Sequence, residues 1–295
     1  MSEVRDAIIL AGGMGTRMLP ASLFVPKEAL PLVDTPIINH LIWEASKAGV
    51  SKIHLVLSPE KRRILEPFIL SSNPFDQEIR MDLPRGSLEL GTEDVEIIAH
   101  TQPIPGGVGD AISVVKGHVS GPFLVLLGDN VLIGDHIGPH RLGPAYASEA
   151  SLELVKRFEE TGLPVVGVSM VNDDDLINYG VVDFNGTKIS KIVEKPTILD
   201  APSQYVLSGR YLLLDGAFKI LESHPECEFG ELQSIALLDF YISEVGLETV
   251  KLDNYRLYDS GNPFSWLKAQ VDHALLRDDV GTEFRDWIGE RLTEW

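Results

Sequence analysis

Short apolar runs alternate with amphipathic segments through the first 170 residues, and this alternation constrains the fold more than any other feature of the chain. The runs DAIILA (6–11) and KIHLVL (52–57) have the length and the branched residues of buried strands. Between them, PIINHLIWEASKAGV repeats apolar residues at helical spacing from Pro36 and stops at Gly49. The same pattern recurs twice before residue 170. It predicts an α/β fold whose central mixed sheet is mostly parallel and flanked by helices.

The pattern changes after residue 170. Shorter strand-like runs are separated there by turn-forming pieces such as NDDD and NGT, which predicts a smaller mixed β section. The end of the chain, from NPFSWLKA onward, has the spacing of two amphipathic helices. Residues 71–94 are polar and rich in turn formers, so we expect a long excursion from the fold in that range.

Composition and charge exclude several classes of function. The formal net charge is −19, and nucleic-acid binding depends on lysine and arginine displacing counterions, so a nucleic-acid partner is not expected. Apolar stretches such as PFLVLL fall far short of the roughly 18 residues of a membrane span, and the charged start MSEVRD is unlike a signal peptide. Cys227 is the single cysteine, which excludes an intrachain disulfide. We therefore expect a cytoplasmic protein without a membrane partner.

The segment AGGMGTRMLP (11–20) places three glycines and an arginine directly after the first predicted strand. Glycines let backbone N–H groups approach an anion, and Arg17 adds a fork of donors for phosphate oxygens. A Walker-type loop needs a Gly-Lys pair, which the chain lacks, and a dinucleotide fingerprint needs a glycine or alanine where Met18 stands. The segment is interpreted as a phosphate-binding loop of another kind, with a plain glycine turn as the alternative.

The stretches LAGGMGTRMLP and VPKEALPLVDTPII together resemble the signature of the sugar-1-phosphate nucleotidyltransferases. Within that superfamily they resemble the prokaryotic UTP:glucose-1-phosphate uridylyltransferases most. The resemblance implies a Rossmann-like nucleotidyltransferase fold in which Arg17 and Lys27 are catalytic residues that hold the departing pyrophosphate. It also implies a group of loop residues that bind the nucleotide: Ala11, Gly12, Gly13 and Gly15.

The stretch TQPIPGGVGDAISVVKGHV resembles the family's base-recognition region. By this resemblance Gln102 contacts the uracil edge through its amide, while Gly107 and Gly109 let the backbone approach the ring. The family commonly has a histidine where Asp110 stands, so this chain departs from the pattern beside the predicted base site.

Two aspartates are the candidate metal ligands. FLVLLGDNVLIG ends an apolar run in Asp129, which places its carboxylate at the carboxyl edge of the sheet, beside the nucleotide, where it would bind a hard cation such as Mg²⁺. YDSGNPFSWLKA matches a late segment of the family, and the resemblance makes Asp259 the second ligand. The alternative is that Asp259 only caps the helix that starts near Asn262. The GDN form is commoner in thymidylyltransferases than in uridylyltransferases.

Three short stretches, NYGVVDF, KIVEKP and VLSGRYLL, occur in the order of the family's sugar site. By resemblance Glu194 accepts hydrogen bonds from sugar hydroxyls. Lys195 neutralises the sugar phosphate and is the third catalytic residue. Gly180 and Gly209 allow close approach of the backbone to the sugar phosphate.

The resemblance covers nearly the whole chain and predicts a single domain, with a nucleotide-binding part (1–170), a sugar-phosphate-binding part (171–260) and C-terminal helices (261–295). It implies that UTP and glucose 1-phosphate give UDP-glucose and pyrophosphate with Mg²⁺ as cofactor, in a homodimer or homotetramer. Two alternatives stay open. The substrate could be dTTP or another hexose 1-phosphate, or the chain could be a non-catalytic relative that binds a sugar nucleotide.

Overall fold

The structure is a computed structural model, and it describes residues 3–69, 95–138, 143–223 and 234–294. The predicted excursion at 71–94 lies outside the described residues, as do Cys227 and Trp295. The strands of the described residues are β1 (Asp6–Leu10), β2 (Pro31–Leu32), β3 (Thr35–Pro36), β4 (Lys52–Leu57), β5 (Glu96–Thr101), β6 (Phe123–Leu127), β7 (Asn130–Ile133), β8 (Val165–Met170), β9 (Gly180–Asn185), β10 (Lys188–Glu194), β11 (Tyr205–Leu213), β12 (Glu248–Lys251) and β13 (Arg256–Asp259).

The helices follow the amphipathic segments of the sequence, and the two predicted C-terminal helices are both present. None of the described helices combines the length and the apolar character that crossing a membrane requires. The α-helices of the described residues are α1 (Ile37–Lys47), α2 (Pro59–Ile69), α3 (Gly107–Ser113), α4 (Ala150–Thr161), α5 (Ala217–Ser223), α6 (Ser234–Phe240), α7 (Pro263–Leu276) and α8 (Gly281–Glu294).

Nine of the described strands form one mixed sheet in the order β5-β4-β1-β6-β11-β8-β12-β10-β9. The pairing directions show that β10 and β11 run opposite to the other seven. The prediction of a mostly parallel mixed sheet is therefore confirmed. Strands β9 and β10, from the section predicted after residue 170, extend this sheet at its far edge, so the sheet is continuous across the two predicted parts.

Helices cover both faces of the sheet. On one face α1, α2 and α4 pack against residues such as Ile9, and on the other α3, α5 and α6 pack against residues such as Ile8. Because neighbouring residues of β1 are buried on opposite faces, the strand reads in sequence as a continuous apolar run and not as an alternating one.

Parallel register brings several strand ends to one edge. Leu10 at the end of β1 aligns with Val56 of β4 and with Leu127 at the end of β6. The glycine loop and Asp129 follow directly on these ends, so they leave the sheet side by side. Ligand sites of open α/β sheets lie at this carboxyl edge.

A two-stranded ribbon stands beside the same edge. It pairs β7 with β13 antiparallel, and Asn130 aligns with Asp259. Helix α7 covers the ribbon, and Trp266 and Ala269 pack against Val131 and Tyr258. The ribbon therefore brings the segment directly after β6 next to the segment directly before α7.

Candidate active site

The glycine loop is positioned by the end of β1. The backbone N–H of Ala11 donates to the carbonyl of Val56 at 2.9 Å, which continues the ladder of the sheet. Gly15 has a φ of 67°, a left-handed conformation that favours glycine, and it turns the chain into the short helix that carries Arg17. A Cβ atom on Gly13 would meet nothing within 4 Å, so the space outside the loop is open to a ligand.

Two cations and two carboxylates converge outside this loop, and we call Arg17, Lys27, Asp129 and Asp259 the phosphate cluster. Lys27 Nζ lies 2.5 Å from Asp129 Oδ2, and Arg17 donates to both carboxylate oxygens of Asp259, at 2.6 and 3.2 Å. A Cβ atom on Gly261 would lie 2.8 Å from Arg17 Nη2, 3.0 Å from Asp259 Oδ1 and 3.4 Å from Asp129 Oδ2. The missing side chain at Gly261 lets these groups share one space.

The β7–β13 ribbon brings the two aspartates together. The backbone N–H and the hydroxyl of Ser260 both donate to the carbonyl of Asp129, each at 2.8 Å. Helix α7 is capped by Asn262, whose side chain accepts from the N–H groups of Phe264 and Ser265. Because Asn262 supplies the cap, the carboxylate of Asp259 is left for Arg17, for the backbone N–H of Gly261, which donates to its Oδ1 at 2.8 Å, and for the open space.

The ion pairs keep the buried part of the phosphate cluster charged. Burial lowers the pKa of Lys27, which is only 7% exposed, but the carboxylates of Asp129 and Glu28 outweigh it and raise that pKa above its ordinary value. Burial raises the pKa of Asp129, and the charges of Lys27 and Arg17 outweigh that effect, so this pKa ends below its usual range. Both groups are therefore ionised at neutral pH.

A buried ion pair beneath the loop was missed by the sequence analysis. Lys61 Nζ lies 2.8 and 2.7 Å from the two carboxylate oxygens of Glu28, and it donates to the carbonyl of Ala11 at 2.9 Å. Burial lowers the pKa of Lys61 and raises that of Glu28. One signal could have found Lys61: it lies in the first turn of the helix after β4, at the carboxyl edge of the sheet.

Gln102 lies on the other side of the loop. Its backbone N–H donates to the carbonyl of Leu57 at 2.8 Å, and its side chain is buried. The amide nitrogen Nε2 lies 2.6 Å from Asp110 Oδ2, and the amide oxygen Oε1 lies 2.7 Å from the point where a Cβ of Gly12 would be. Gly107, with a φ of 86°, begins α3, and Gly109 is buried within that helix. The structure thus places Gln102 beside the glycine loop.

The predicted sugar residues form a second group. Gly180 and Glu194 face each other across β9 and β10, and a Cβ on Gly180 would lie 3.0 Å from Glu194 Oε2. Lys195 has a φ of 44°, which is uncommon for a residue other than glycine, and its N–H donates to the carbonyl of Tyr179 at 2.9 Å. Its Nζ lies 3.6 Å from Glu194 Oε1, and we call these two residues the sugar pair.

Tyr179 links the two groups. Its carbonyl holds the backbone of Lys195, while burial and the charge of Asp259 raise the pKa of its phenol. Gly209 has a φ of 72°, and a Cβ there would lie 2.5 Å from Asn130 Nδ2, so packing in the sheet already requires glycine at this position. The predicted approach of Gly209 to the sugar phosphate stays a prediction.

The carboxylates of Asp129 and Asp259 are suited to a small hard cation that is also bound by substrate phosphates. They are too few to hold a metal ion by protein ligands alone. Within the described ranges, no group of three or more His, Cys, Asp or Glu side chains is arranged around a metal ion. Mg²⁺ keeps several waters and is commonly bound through one or two carboxylates together with substrate phosphates. Two carboxylate oxygens beside one open space meet that requirement.

Comparisons with known proteins agree with this geometry. The pattern of the family described as Nucleotidyl transferase matches residues 6–274, a range that includes the glycine loop and both aspartates. UTP–glucose-1-phosphate uridylyltransferase 2 of Streptococcus pyogenes is 32% identical over 300 residues, which cover 98% of this chain and 96% of that one. A UDP-glucose pyrophosphorylase from Acinetobacter baumannii superposes with a TM-score of 0.80 at 28% identity, covering 98% and 99% of the two chains. A UTP-bound UGPase from the same organism superposes with a TM-score of 0.76 at 27% identity and the same coverage.

Proposed function

The chain belongs to the nucleotidyl transferase family, and we propose that its site joins UTP to glucose 1-phosphate, giving UDP-glucose and pyrophosphate. One observation carries the proposal: two cations and two carboxylates converge directly outside a glycine loop at the carboxyl edge of the sheet. The relatives supply the substrates, because the Streptococcus pyogenes protein is named for this reaction and a related structure was solved with UTP bound.

The reaction needs charge neutralisation more than proton transfer. A phosphate oxygen of glucose 1-phosphate attacks the α-phosphorus of UTP, and pyrophosphate leaves from the opposite side. The attacking oxygen is already ionised at neutral pH, so no general base is required. The main barrier is bringing two anions together in line, and positioned cations lower that barrier.

Arg17 and Lys27 supply those cations, and in the described structure each is paired with a carboxylate of the phosphate cluster. Backbone N–H groups of the open glycine loop would bind the triphosphate, and the two cations would turn from their aspartates to the β- and γ-phosphate oxygens. Nucleotide binding would therefore exchange one set of anionic partners for another, and the cations would not need to be buried without a partner at any stage.

Asp129 and Asp259 are the residues that would hold Mg²⁺, since their oxygens approach the same open space. When bound, Mg²⁺ would supply positive charge beside the α-phosphate and the sugar phosphate. Turning Arg17 and Lys27 toward the triphosphate would release both carboxylates from their ion pairs, so that each could offer an oxygen to the cation. Each carboxylate would thus be paired with a positive charge, and each cation with a negative charge, both before and after the nucleotide binds.

The sugar pair would hold the second substrate. The side chain of Lys195 is 63% exposed, so its ammonium group is free to meet the phosphate of glucose 1-phosphate, while Glu194 accepts hydrogen bonds from sugar hydroxyls. Gly180 leaves room beside Glu194 for this approach. At the other end Gln102, flanked by Gly107 and Gly109, would contact the uracil edge.

The decisive experiment measures pyrophosphate release with Mg²⁺ and glucose 1-phosphate, comparing UTP, dTTP, ATP, CTP and GTP in parallel. We expect UTP to give the highest kcat/KM. If dTTP gave the highest value, the nucleotide of the proposal would be wrong, although the reaction class would stand. If no triphosphate were turned over with any hexose 1-phosphate tested, the proposal of an enzyme would be wrong.

Assembly and location belong to the same proposal. Leu23 and Phe24, after the glycine loop, are 72% and 81% exposed, and Leu267 and Trp287 of the C-terminal helices are also exposed. Apolar surface of this kind supports a homodimer or homotetramer. Light scattering coupled to size-exclusion chromatography tests this, and a monomeric mass would contradict it. With a single cysteine in the chain, we place the protein in the cytoplasm, which cell fractionation would check.

A further inference from the structure

Asp110 is one residue at which this chain departs from the family pattern, and its carboxylate contacts the side chain of Gln102. The Gln102 amide nitrogen lies 2.6 Å from Asp110 Oδ2, and its second neighbour is the carbonyl of Gly107 at 3.5 Å. Both neighbours accept hydrogen bonds and neither donates one.

These neighbours determine which end of the Gln102 amide faces which way. A carboxylate oxygen and a carbonyl oxygen can only accept, so the NH₂ end must face them. Reversing the amide would set its oxygen against Asp110 Oδ2 at the same short distance, which would replace a hydrogen bond by repulsion between two oxygens. The oxygen Oε1 is therefore held on the side of the glycine loop, next to Gly12.

Packing holds the Asp110 carboxylate in that place. A Cβ atom on Gly106 would lie 2.7 Å from Asp110 Cγ and 2.8 Å from Asp110 Oδ2, so the carboxyl group occupies space that only glycine leaves open. Gly12 likewise leaves space for Gln102 Oε1, because a Cβ atom on Gly12 would lie only 2.7 Å from that oxygen. Two glycines thus accommodate one oriented pair of side chains.

We infer that Asp110 is a positioning residue for base selection: it presents Gln102 Oε1 as a fixed acceptor for the N3–H of a uracil ring, and so rejects cytosine. This inference rests on the proposed function, which places a pyrimidine triphosphate at the glycine loop. Uracil carries a donor at N3, whereas cytosine carries an acceptor there, so a fixed amide oxygen pairs with the first and opposes the second. A site that leaves a buried acceptor unpaired discriminates strongly against the wrong ligand.

The test compares Asp110→Asn with the unmodified protein, using kcat/KM and equilibrium binding for both UTP and CTP. Asparagine keeps the size of aspartate but can donate or accept, so the Gln102 amide becomes free to reverse. We expect the preference for UTP over CTP to fall by about tenfold or more. Asp286→Asn, an exposed residue of α8, makes the same change of charge away from the site and should leave the preference unchanged.

A second comparison separates positioning from mere structure. Gln102→Leu removes the amide, so adding Asp110→Asn to it should not change the UTP-to-CTP ratio further. An undiminished ratio in Asp110→Asn, or an equal further change in the Gln102→Leu background, would overturn the inference. If Asp110→Asn does not fold by thermal melting, Asp110→Ser replaces it, because serine can also donate.

The failure of the proposed function would look different. In that case the unmodified protein would neither bind nor turn over UTP, and no preference would exist to be changed. A clear preference for UTP in the unmodified protein that persists in Asp110→Asn would leave the function standing and remove the role of Asp110.

Discussion

The phosphate cluster and the sugar pair carry the same kinds of charge but hold them differently. The side chain of Lys27 in the cluster is 9% exposed and lies 2.5 Å from its carboxylate, whereas the side chain of Lys195 in the sugar pair is 63% exposed and lies 3.6 Å from Glu194. The cluster is assembled from segments that are 102 and 242 residues apart in the chain, and the sugar pair consists of neighbours.

The difference shows how each region is prepared for an anion. In the cluster Lys27 is held by packing and Arg17 by its two contacts to Asp259, and both cations already lie beside one open space, so little reorganisation is needed when phosphate replaces carboxylate. In the sugar pair the backbone of Lys195 is held by Tyr179, while its ammonium group is free to move until a substrate binds. The two regions therefore predict different consequences of mutation.

Asp129→Asn should have the largest effect, because it removes a charge from a proposed Mg²⁺ ligand that is also the partner of the buried Lys27. We expect turnover to fall by at least about 10³-fold, roughly 4 kcal/mol in the barrier, with the fold largely preserved. Steady-state pyrophosphate release measures the loss, and a thermal melt measures the fold. Activity close to that of the unmodified protein would show that Asp129 is not part of the chemistry.

Lys61→Met tests whether the region beneath the cluster depends on paired charge. The change leaves Glu28, which is 1% exposed, without the cation that contacts both of its oxygens. We expect the free energy of unfolding to fall by about 3 kcal/mol, as measured by urea denaturation. Adding Glu28→Gln should restore part of the loss, because the unpaired buried charge is then removed. No loss in Lys61→Met would contradict the importance of the pair.

Lys195→Gln addresses the sugar pair. Because the side chain is exposed, we expect no measurable change in the free energy of unfolding. We expect kcat/KM for glucose 1-phosphate to fall by about 30-fold, roughly 2 kcal/mol, from the loss of a charged hydrogen bond to phosphate. The binding of UTP, followed by calorimetry, should stay the same. A weakened affinity for UTP would show that Lys195 contacts the nucleotide and would contradict its assignment to glucose 1-phosphate.

His273 provides a contrast with the buried ion pairs, because it is a buried titratable group without a hydrogen-bonded partner of opposite charge in the described part of the chain. Neither ring nitrogen has a hydrogen-bond partner among the described residues, and burial together with the charge of Arg277 lowers its pKa to about 4. Its ordinary value is 6.5, so between pH 6.5 and 4 the unfolded chain binds a proton that the folded protein excludes. The contribution to stability is therefore complete above pH 6.5 and is lost as the pH falls.

His273→Leu should remove this dependence. Relative to the variant, the unmodified protein should lose up to about 2 kcal/mol of unfolding free energy between pH 7.5 and pH 5. Urea denaturation at the two pH values measures the difference. Asp286→Asn, a change at an exposed residue of α8, is the control and should follow the unmodified protein. Parallel pH profiles for His273→Leu and the unmodified protein would contradict the prediction.

Much of the fold could be predicted because its signals are local. The apolar run of β1, the amphipathic pattern of α1 and the Gly49 that ends the helical pattern all lie within short windows. Burial on both faces of a parallel strand and on one face of a helix leaves a direct pattern in the residues. The glycine loop and Asp129 could be placed at one edge for the same reason, since both follow strand ends.

The reason why three positions must be glycine could not be predicted from the sequence in the same way. Gly209 is glycine because Asn130 packs against it, Gly106 because Asp110 does, and Gly261 because the phosphate cluster meets there. Asn130 is far from Gly209 in the chain, and although Asp110 is only four residues from Gly106, the placement of its side chain against that glycine follows from its contact with Gln102 and not from a periodic pattern. Sequence patterns marked the glycines of the loop as functional but said nothing of these contacts.

Local patterning was thus enough for the element types, the mostly parallel sheet and the edge that carries the site, because burial imposes its period on consecutive residues. Which charges pair was decided only in three dimensions. Asp259 reaches Arg17 because β13 pairs with β7 in one register, and Lys27 reaches Asp129 because the segment after the loop folds back over the sheet edge. Such pairings depend on the register of strands far apart in the chain, and no short window of sequence contains both partners.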